Sequence, residues 1–170
     1  DFARLGEDEL RILRVMSLIG TGVGIDRRVL KRLLSLDTTD EIRSLVKNTF
    51  IRENGKRLLM HPLFSDVFYR RENVSESDEA RLFIEHLSEE CGAASDMSRQ
   101  RELCELMEFV IEKRREIFDR ADLSRRLPEF SGLLAKRLYT VGGYEKSIKY
   151  YKLAISASEG GEASDVIKCH

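Results

Sequence analysis

The sequence predicts a mainly α-helical chain that contains one β-hairpin. Apolar residues recur at helical spacing along most of the 170 residues, and this spacing breaks around Asn54-Gly55, where a tight turn is expected. Apolar residues make up 42% of the chain, which is enough to form a core. Because 29 basic and 30 acidic residues leave a net charge of −1, the chain as a whole is not a basic nucleic-acid binder.

Three amphipathic helices are predicted before the hairpin. Glycines that begin at Gly20 are expected to end the first helix, and Asp26 is expected to cap the second. Thr38 and Glu41 have the spacing of a capping box for the third. The apolar faces are Ile12, Val15, Met16 and Ile19 in the first helix, Val29, Leu30, Leu33 and Leu34 in the second, and Ile42, Leu45, Val46 and Phe50 in the third.

The hairpin follows directly after these helices. The runs 51–53 and 57–60 flank Asn54-Gly55, a pair that tolerates the positive φ values of a two-residue turn. Three helices followed by such a ribbon are the order of a winged helix, with the third helix in the place of a DNA-reading helix and the hairpin as the wing. Pro62 suits the first turn of a further helix, so residues 1–72 are predicted to form a winged-helix domain.

The third helix and the wing also carry side chains that could contact the backbone and base edges of DNA. They are Arg43, Lys47, Asn48, Arg52, Lys56 and Arg57. Acidic residues lie on the same surfaces, and residues 1–72 have a net charge of only +3. A DNA-binding transcription regulator, with a helical half for effector recognition or dimerisation, is therefore the alternative function.

Beyond a polar segment at 72–78, the sequence predicts only helices. The charge changes sign there, since residues 73–170 carry a net charge of −4. Residues 73–127 are interpreted as a helical adaptor, for which a plain helical bundle is the other reading. Cys91, Cys104 and Cys169 are odd in number and widely spaced, which predicts reduced thiols in a cytoplasmic protein and no metal site.

Residues 128–170 resemble one tetratricopeptide repeat and the start of the next. The resemblance rests on Leu134, Ala135, Leu138, Gly142, Gly143, Tyr144, Ser147, Tyr151 and Ala154. Ala135, Ser147 and Ala154 match the small positions where the two helices touch, and Tyr144 and Tyr151 match the bulky ones. Ser131 replaces an expected aromatic residue and Glu159 an expected proline.

That resemblance implies a helical array that binds a protein or peptide, with a further repeat beginning at residue 162. Tyr139, Tyr144, Tyr150 and Tyr151 could line a peptide groove, but at this spacing Tyr144 and Tyr151 are expected to pack between repeat helices.

Residues 5–72 resemble the winged-helix module of the STAND class, the signalling NTPases with numerous domains. The resemblance rests on residues 6–10, on the wing at 52–55, and on Leu59-Met60-His61-Pro62-Leu63. In the NB-ARC-like branch of that class, a Met-His-Asp motif occupies the last of these places, and its histidine approaches the phosphates of ADP. Met60 and His61 match the motif, whereas Pro62 replaces the aspartate.

The resemblance implies that His61 and Met60 sense a nucleotide, with ADP or ATP held by an upstream module. This chain has no GxxxxGK[ST] loop of its own, so no cofactor and no catalysis are expected within it. A histidine that packs or caps a helix is the other reading of His61. The predicted function is a regulatory and sensor fragment of a signalling NTPase, with a protein scaffold lacking a switch as a third possibility.

Overall fold

The computed structural model describes residues 4–19, 22–36 and 39–167, with side chains through Glu159. These residues are mainly helical and include a small three-stranded antiparallel sheet, which confirms the predicted class. The helices are α1 (Glu7–Leu18), α2 (Arg27–Leu34), α3 (Asp40–Lys47), α4 (Pro62–Arg71), α5 (Asp78–Ala93), α6 (Met97–Lys113), α7 (Arg126–Thr140) and α8 (Tyr144–Ile167). The strands are β1 (Ile25–Asp26), β2 (Ile51–Asn54) and β3 (Arg57–Met60).

The chain divides into two compact units, Asp1–His86 and Leu87–His170, and the division falls inside α5. In the first unit, the predicted apolar faces of α1, α2 and α3 supply core residues such as Ile12, Leu30 and Ile42, all fully buried. Asp26 caps α2 as predicted, because its side chain accepts a hydrogen bond from the Arg28 amide at 2.7 Å. Gly20 and Thr38, which were predicted to end α1 and to cap α3, lie outside the described residues.

The predicted hairpin is confirmed, and it gains a third strand that the sequence did not indicate. β3 lies in the centre of the sheet, between β1 and β2, and Ile25 of β1 pairs with Leu58. Leu58, Leu59 and Met60 are consecutive apolar residues and all buried, so both faces of β3 are covered at this point. The turn lies one residue later than predicted, because Asn54 belongs to β2 and pairs with Arg57, so the two turn residues are Gly55 and Lys56. Gly55 has φ of 61°, a conformation that favours glycine.

β1 approaches β3 so closely that a glycine is required beside it. Gly24 has φ of 67°, and a Cβ atom added there would lie 2.6 Å from the Leu58 carbonyl oxygen. Arg57 reinforces the same contact, since its guanidinium donates to the Val23 carbonyl oxygen at 2.9 Å. β1 is therefore held against β3 by the close approach of the two backbones at Gly24 and by the partly buried hydrogen bond from Arg57.

In the second unit, α7 and α8 pack against each other and are connected by residues 141–143. The last two of these are Gly142 and Gly143. Gly142 has φ of 89°, and the Gly143 amide donates to the Leu138 carbonyl oxygen at 2.8 Å, which satisfies the end of α7. The aromatic rings of Phe118 and Phe130 are 5.4 Å apart and supply bulk next to Ser131, where a repeat would have its aromatic residue.

The predicted start of a new helix at residue 162 is wrong, because α8 continues unbroken to Ile167. Glu159 stands where a repeat would carry a proline, so the helical hydrogen bonds are not interrupted there. Among the helices formed by the described residues, none has both the length and the apolar character needed to cross a bilayer.

Candidate functional site

His61 is exposed at the corner where β3 ends and α4 begins. Its backbone amide donates to the Phe50 carbonyl oxygen at 3.1 Å, and its Nδ1 accepts from the Leu63 amide at 3.3 Å. The imidazole ring lies 5.4 Å from the ring of Phe64. The first contact fixes the backbone and the other two hold the imidazole, and the bond at Nδ1 makes His61 the N-cap of α4.

The hydrogen bond at Nδ1 also decides which ring nitrogen can donate. In a neutral imidazole one nitrogen accepts and the other carries the proton. Because Nδ1 of His61 accepts from the Leu63 amide, the proton of the neutral ring is assigned to Nε2. An N–H group at this position is a suitable donor to a phosphate oxygen.

Two exposed apolar residues lie beside His61 on α4. Leu63 is 74% exposed and Val67 is 58% exposed, and their spacing of four places them on one face of the helix. Phe64 connects this face to the core, since its ring is 5.5 Å from that of Phe50. We call His61, Leu63, Phe64 and Val67 the His61 corner.

Met60, the other predicted nucleotide-sensing residue, lies in the core. It is 2% exposed and pairs with Ile51 across the hairpin. Its side chain is therefore not at the surface, and within the Met-His pair the accessible group is His61.

The residues predicted to contact DNA do not form one uniform basic surface. Lys47, Asn48, Arg52 and Lys56 are exposed. Arg43 is also exposed but lies 3.2 Å from the Asp40 carboxylate in an ion pair, and the Arg57 guanidinium is half-buried on the Val23 carbonyl oxygen. In the wing, Glu53 pairs with Arg27. Acidic neighbours and structural contacts thus reduce the cationic character of this face.

The small residues predicted to lie between repeat helices are where the prediction places them. Ala135 and Ser147 are buried, and the Ser147 hydroxyl donates to the Ala135 carbonyl oxygen at 2.8 Å. Leu138 is 5% exposed. Ala154 is half-buried and faces Gly132, where an added Cβ would lie 3.9 Å from the Ala154 Cβ. Small side chains therefore allow α7 and α8 to approach closely.

The two tyrosines predicted to pack between helices are not buried by the described residues. Tyr144 is 58% exposed and Tyr151 is 44% exposed, whereas their neighbour Tyr150 is 1% exposed. The Tyr150 hydroxyl donates to Glu112 Oε1 on α6 at 2.9 Å. Tyr150 is the buried tyrosine because its position on α8 faces both α7 and α6, a contact that the single-repeat pattern does not include.

Tyr144 and Tyr151 belong instead to an exposed apolar stripe on α8. Ile148 and Ile155 complete it, being 56% and 59% exposed. The spacing of four, three and four residues places all four side chains on one face of the helix. We call Tyr144, Ile148, Tyr151 and Ile155 the α8 stripe. The ring of Tyr139, on α7, lies 5.2 Å from that of Tyr144 at one end. This periodicity is visible in the sequence and could have been found there.

The two described cysteines are buried and free. Burial raises the pKa of the Cys91 thiol, while the nearby Arg137 acts in the opposite direction. Burial, and then Cys91 and Glu108, raise the pKa of Cys104 to about 12. Both thiols are therefore protonated and unreactive at neutral pH. Cys169 lies outside the described residues, and within those residues no group of three potential metal ligands occurs.

Comparison of the chain with protein-family models, with curated protein sequences and with solved structures gives no significant match.

Proposed function

We propose that this chain is a regulatory and sensor fragment of a STAND-type signalling NTPase. Residues 1–72 form a winged helix that controls an upstream nucleotide-binding module through His61. The helices from residue 73 form an adaptor, and those from residue 128 form a tetratricopeptide-like unit that binds a protein or ligand. A difference in contacts between the nucleotide-bound states would couple the two activities.

The observation that carries the proposal is the His61 corner. Its imidazole is held by Leu63 and Phe64 yet exposed, and the proton of the neutral ring is assigned to Nε2. A donor fixed in this way suits a diphosphate better than a mobile side chain does, because little conformational entropy is lost on binding. The exposed Leu63 and Val67 beside it supply apolar area for a contact with a protein module.

The α8 stripe supports the repeat-like part of the proposal. One repeat cannot bury its own faces, so the second helix of a unit presents apolar residues for another helix to cover. Tyr144, Ile148, Tyr151 and Ile155 supply such a face along about three helical turns. The partner proposed for this half of the chain is therefore a helical protein segment.

ADP retention tests the role of His61. In a longer chain that includes the proposed nucleotide-binding module, we expect His61→Ala to release ADP about tenfold faster, since a hydrogen bond to a charged group contributes about 1.5 kcal/mol. The measurement is the dissociation rate of a fluorescent ADP analogue from the wild-type and variant chains.

His61→Ser is the matched control, because serine keeps a good N-cap for α4 but is too short to replace the imidazole. The proposal expects His61→Ser to lose ADP as fast as His61→Ala does. Retention equal to wild type in the serine variant, with loss only in the alanine variant, would show that His61 acts as a helix cap alone. Unchanged retention in both variants would also refute the proposed role.

The alternative function, DNA-binding regulation, is tested on the same domain. It predicts salt-dependent binding of the chain to duplex DNA that is lost when Arg43 and Lys47 are both replaced by alanine. The exposed Lys47, Arg52 and Lys56 favour it, while the Asp40–Arg43 ion pair opposes it. Binding that persists in the double variant would exclude α3 as a reading helix.

A further inference from the structure

The start of α5 is fastened to α1 by a buried carboxylate. Glu79 lies in the first turn of α5 and is 7% exposed. Arg11 Nε donates to its Oε1 at 3.1 Å, and Arg14 Nη1 lies 3.7 Å from its Oε2. Both arginines belong to α1, so one carboxylate connects α5 to α1. Arg11 and Glu79 are 68 residues apart in the chain.

Arg11 uses each of its three guanidinium nitrogens for a different element. Besides Nε, its Nη1 donates to Asp8 at 3.1 Å and its Nη2 donates to the carbonyl oxygen of Leu34, the last residue of α2, at 3.2 Å. The guanidinium is planar and rigid, so these three bonds fix its position together. We call Arg11, Arg14 and Glu79 the Arg11 clamp.

The segment before Glu79 is also fixed to the first unit. Asn73 adopts φ of 47° at the end of α4, and Val74 is fully buried. The Ser77 hydroxyl donates to the Val74 carbonyl oxygen at 2.8 Å and accepts from the Ala80 amide at 3.2 Å, which caps α5. The polar sequence at 72–78 is typical of a connection between modules, and in the structure it is an ordered turn closed by the clamp.

The clamp has a specific electrostatic requirement. A buried carboxylate is stable only when it is paired and hydrogen-bonded. The groove at the clamp is also lined by the acidic residues Glu7, Glu72, Glu76 and Asp78, and Arg14 pairs with Glu7 at 2.9 Å. Without the two arginines, these carboxylates would repel Glu79. The guanidinium contacts are therefore what allows Glu79 to be buried at the start of α5.

We propose that the Arg11 clamp is a conformational device that sets whether α5 begins as a fixed part of the first unit. With the clamp closed, residues 72–78 form a rigid connection between α4 and α5. With the clamp open, the same residues lose this anchor and the first turns of α5 are released. This inference concerns the first unit alone and does not depend on the proposed nucleotide control.

Hydrogen exchange of the full chain tests the proposal. Glu79→Gln keeps the shape of the side chain but removes its charge, and we expect exchange of the amides of residues 82–84 to become about tenfold faster, the factor that corresponds to losing one charged hydrogen bond. The amide of Leu45, in α3, serves as the internal reference for unfolding of the whole unit. Arg11→Lys, which keeps the charge but not the three-way contact, should accelerate the same amides.

Asp78→Asn is the matched control, because it removes a charge from the same helix end at an exposed position that lines the groove but is not one of the three clamp residues. It should change exchange at 82–84 by less than about twofold. The proposal is overturned by unchanged exchange in Glu79→Gln, by an equal acceleration at Leu45, or by the same acceleration in Asp78→Asn. The second outcome would mean that Glu79 stabilises the whole unit, and the third that only the charge at the helix end matters.

Discussion

The His61 corner and the α8 stripe are both exposed apolar surfaces, but they differ in extent and in chemistry. The corner has two well-exposed apolar residues, Leu63 and Val67, next to one anchored imidazole. The stripe has four, repeated along α8, with no charged side chain within it. Single exposed apolar residues are ordinary on protein surfaces, whereas a continuous apolar face indicates a binding partner.

The two surfaces serve different parts of the proposed function. Partner binding by the repeat-like half depends on an extended surface, so no single residue decides it. Control of a nucleotide depends on one nitrogen atom of His61, and one substitution can decide it. Buried residues lie beneath each of these surfaces, and substitutions of those residues show how far each surface depends on them.

The largest expected effect distinguishes the core side of α8 from its stripe. Tyr150→Ala removes a tyrosine that is 1% exposed and should lower the free energy of unfolding by about 3–5 kcal/mol. Tyr151→Ala removes the adjacent tyrosine, which is 44% exposed, and should cost less than about 1 kcal/mol. Urea unfolding monitored by circular dichroism measures both.

Equal losses in the two tyrosine variants would contradict this distinction. They would mean that Tyr151 is covered in the folded chain, so that the α8 stripe is not available to a partner. A small loss for Tyr150→Ala would instead show that α8 does not depend on its contact with α6.

The next effect concerns the sheet beneath the His61 corner. Gly24→Ala should cost about 3 kcal/mol, because it combines a positive φ with a Cβ atom 2.6 Å from the Leu58 carbonyl oxygen. Gly55→Ala, at φ of 61° with no atom within 4 Å, should cost only about 1 kcal/mol. Thermal unfolding of the two variants provides the measurement.

Gly24 and Gly55 share the same backbone region, so their difference isolates the close approach of β1 to β3. If Gly24→Ala cost no more than Gly55→Ala, β1 would not be held against Leu58 and the three-stranded sheet would be wrong.

Local patterns predicted much of the first unit. The faces of α1 to α3, the Asp26 cap and the hairpin turn each depend on residues a few positions apart, which is the range over which periodicity and turn chemistry act. The position of His61 at the start of α4 follows in the same way, since Pro62 marks a first helical turn.

Features formed by distant residues were not predictable in this way. β1 has only two residues and exists because Ile25 meets Leu58. Glu79 is one of many carboxylates in the sequence, and its contact with Arg11 spans 68 residues. Tyr150 and Tyr151 are chemically identical and adjacent, so their contacts with α7 and α6 decide which one is buried.

The smallest expected effect concerns how α8 is attached to α6. The Lys149 ammonium and the Tyr150 hydroxyl hydrogen-bond to Glu112 and lower the pKa of its carboxyl group. Burial, and then the bond to Glu112, raise the pKa of Tyr150 above its ordinary value. Tyr150→Phe keeps the buried ring but removes the hydroxyl, and should cost about 1 kcal/mol at neutral pH.

The pH dependence of that cost follows from the two pKa directions. A carboxylate with a lowered pKa stabilises the fold above its unfolded value and loses this contribution as acid protonates it. A phenol with a raised pKa stabilises the fold below its unfolded value and loses this contribution as alkali ionises it. The difference between wild type and Tyr150→Phe should therefore be greatest between about pH 5 and pH 10 and should shrink on both sides. A difference that does not shrink below about pH 5 or above about pH 10 would show that the hydroxyl contributes through packing and not through its bond to Glu112.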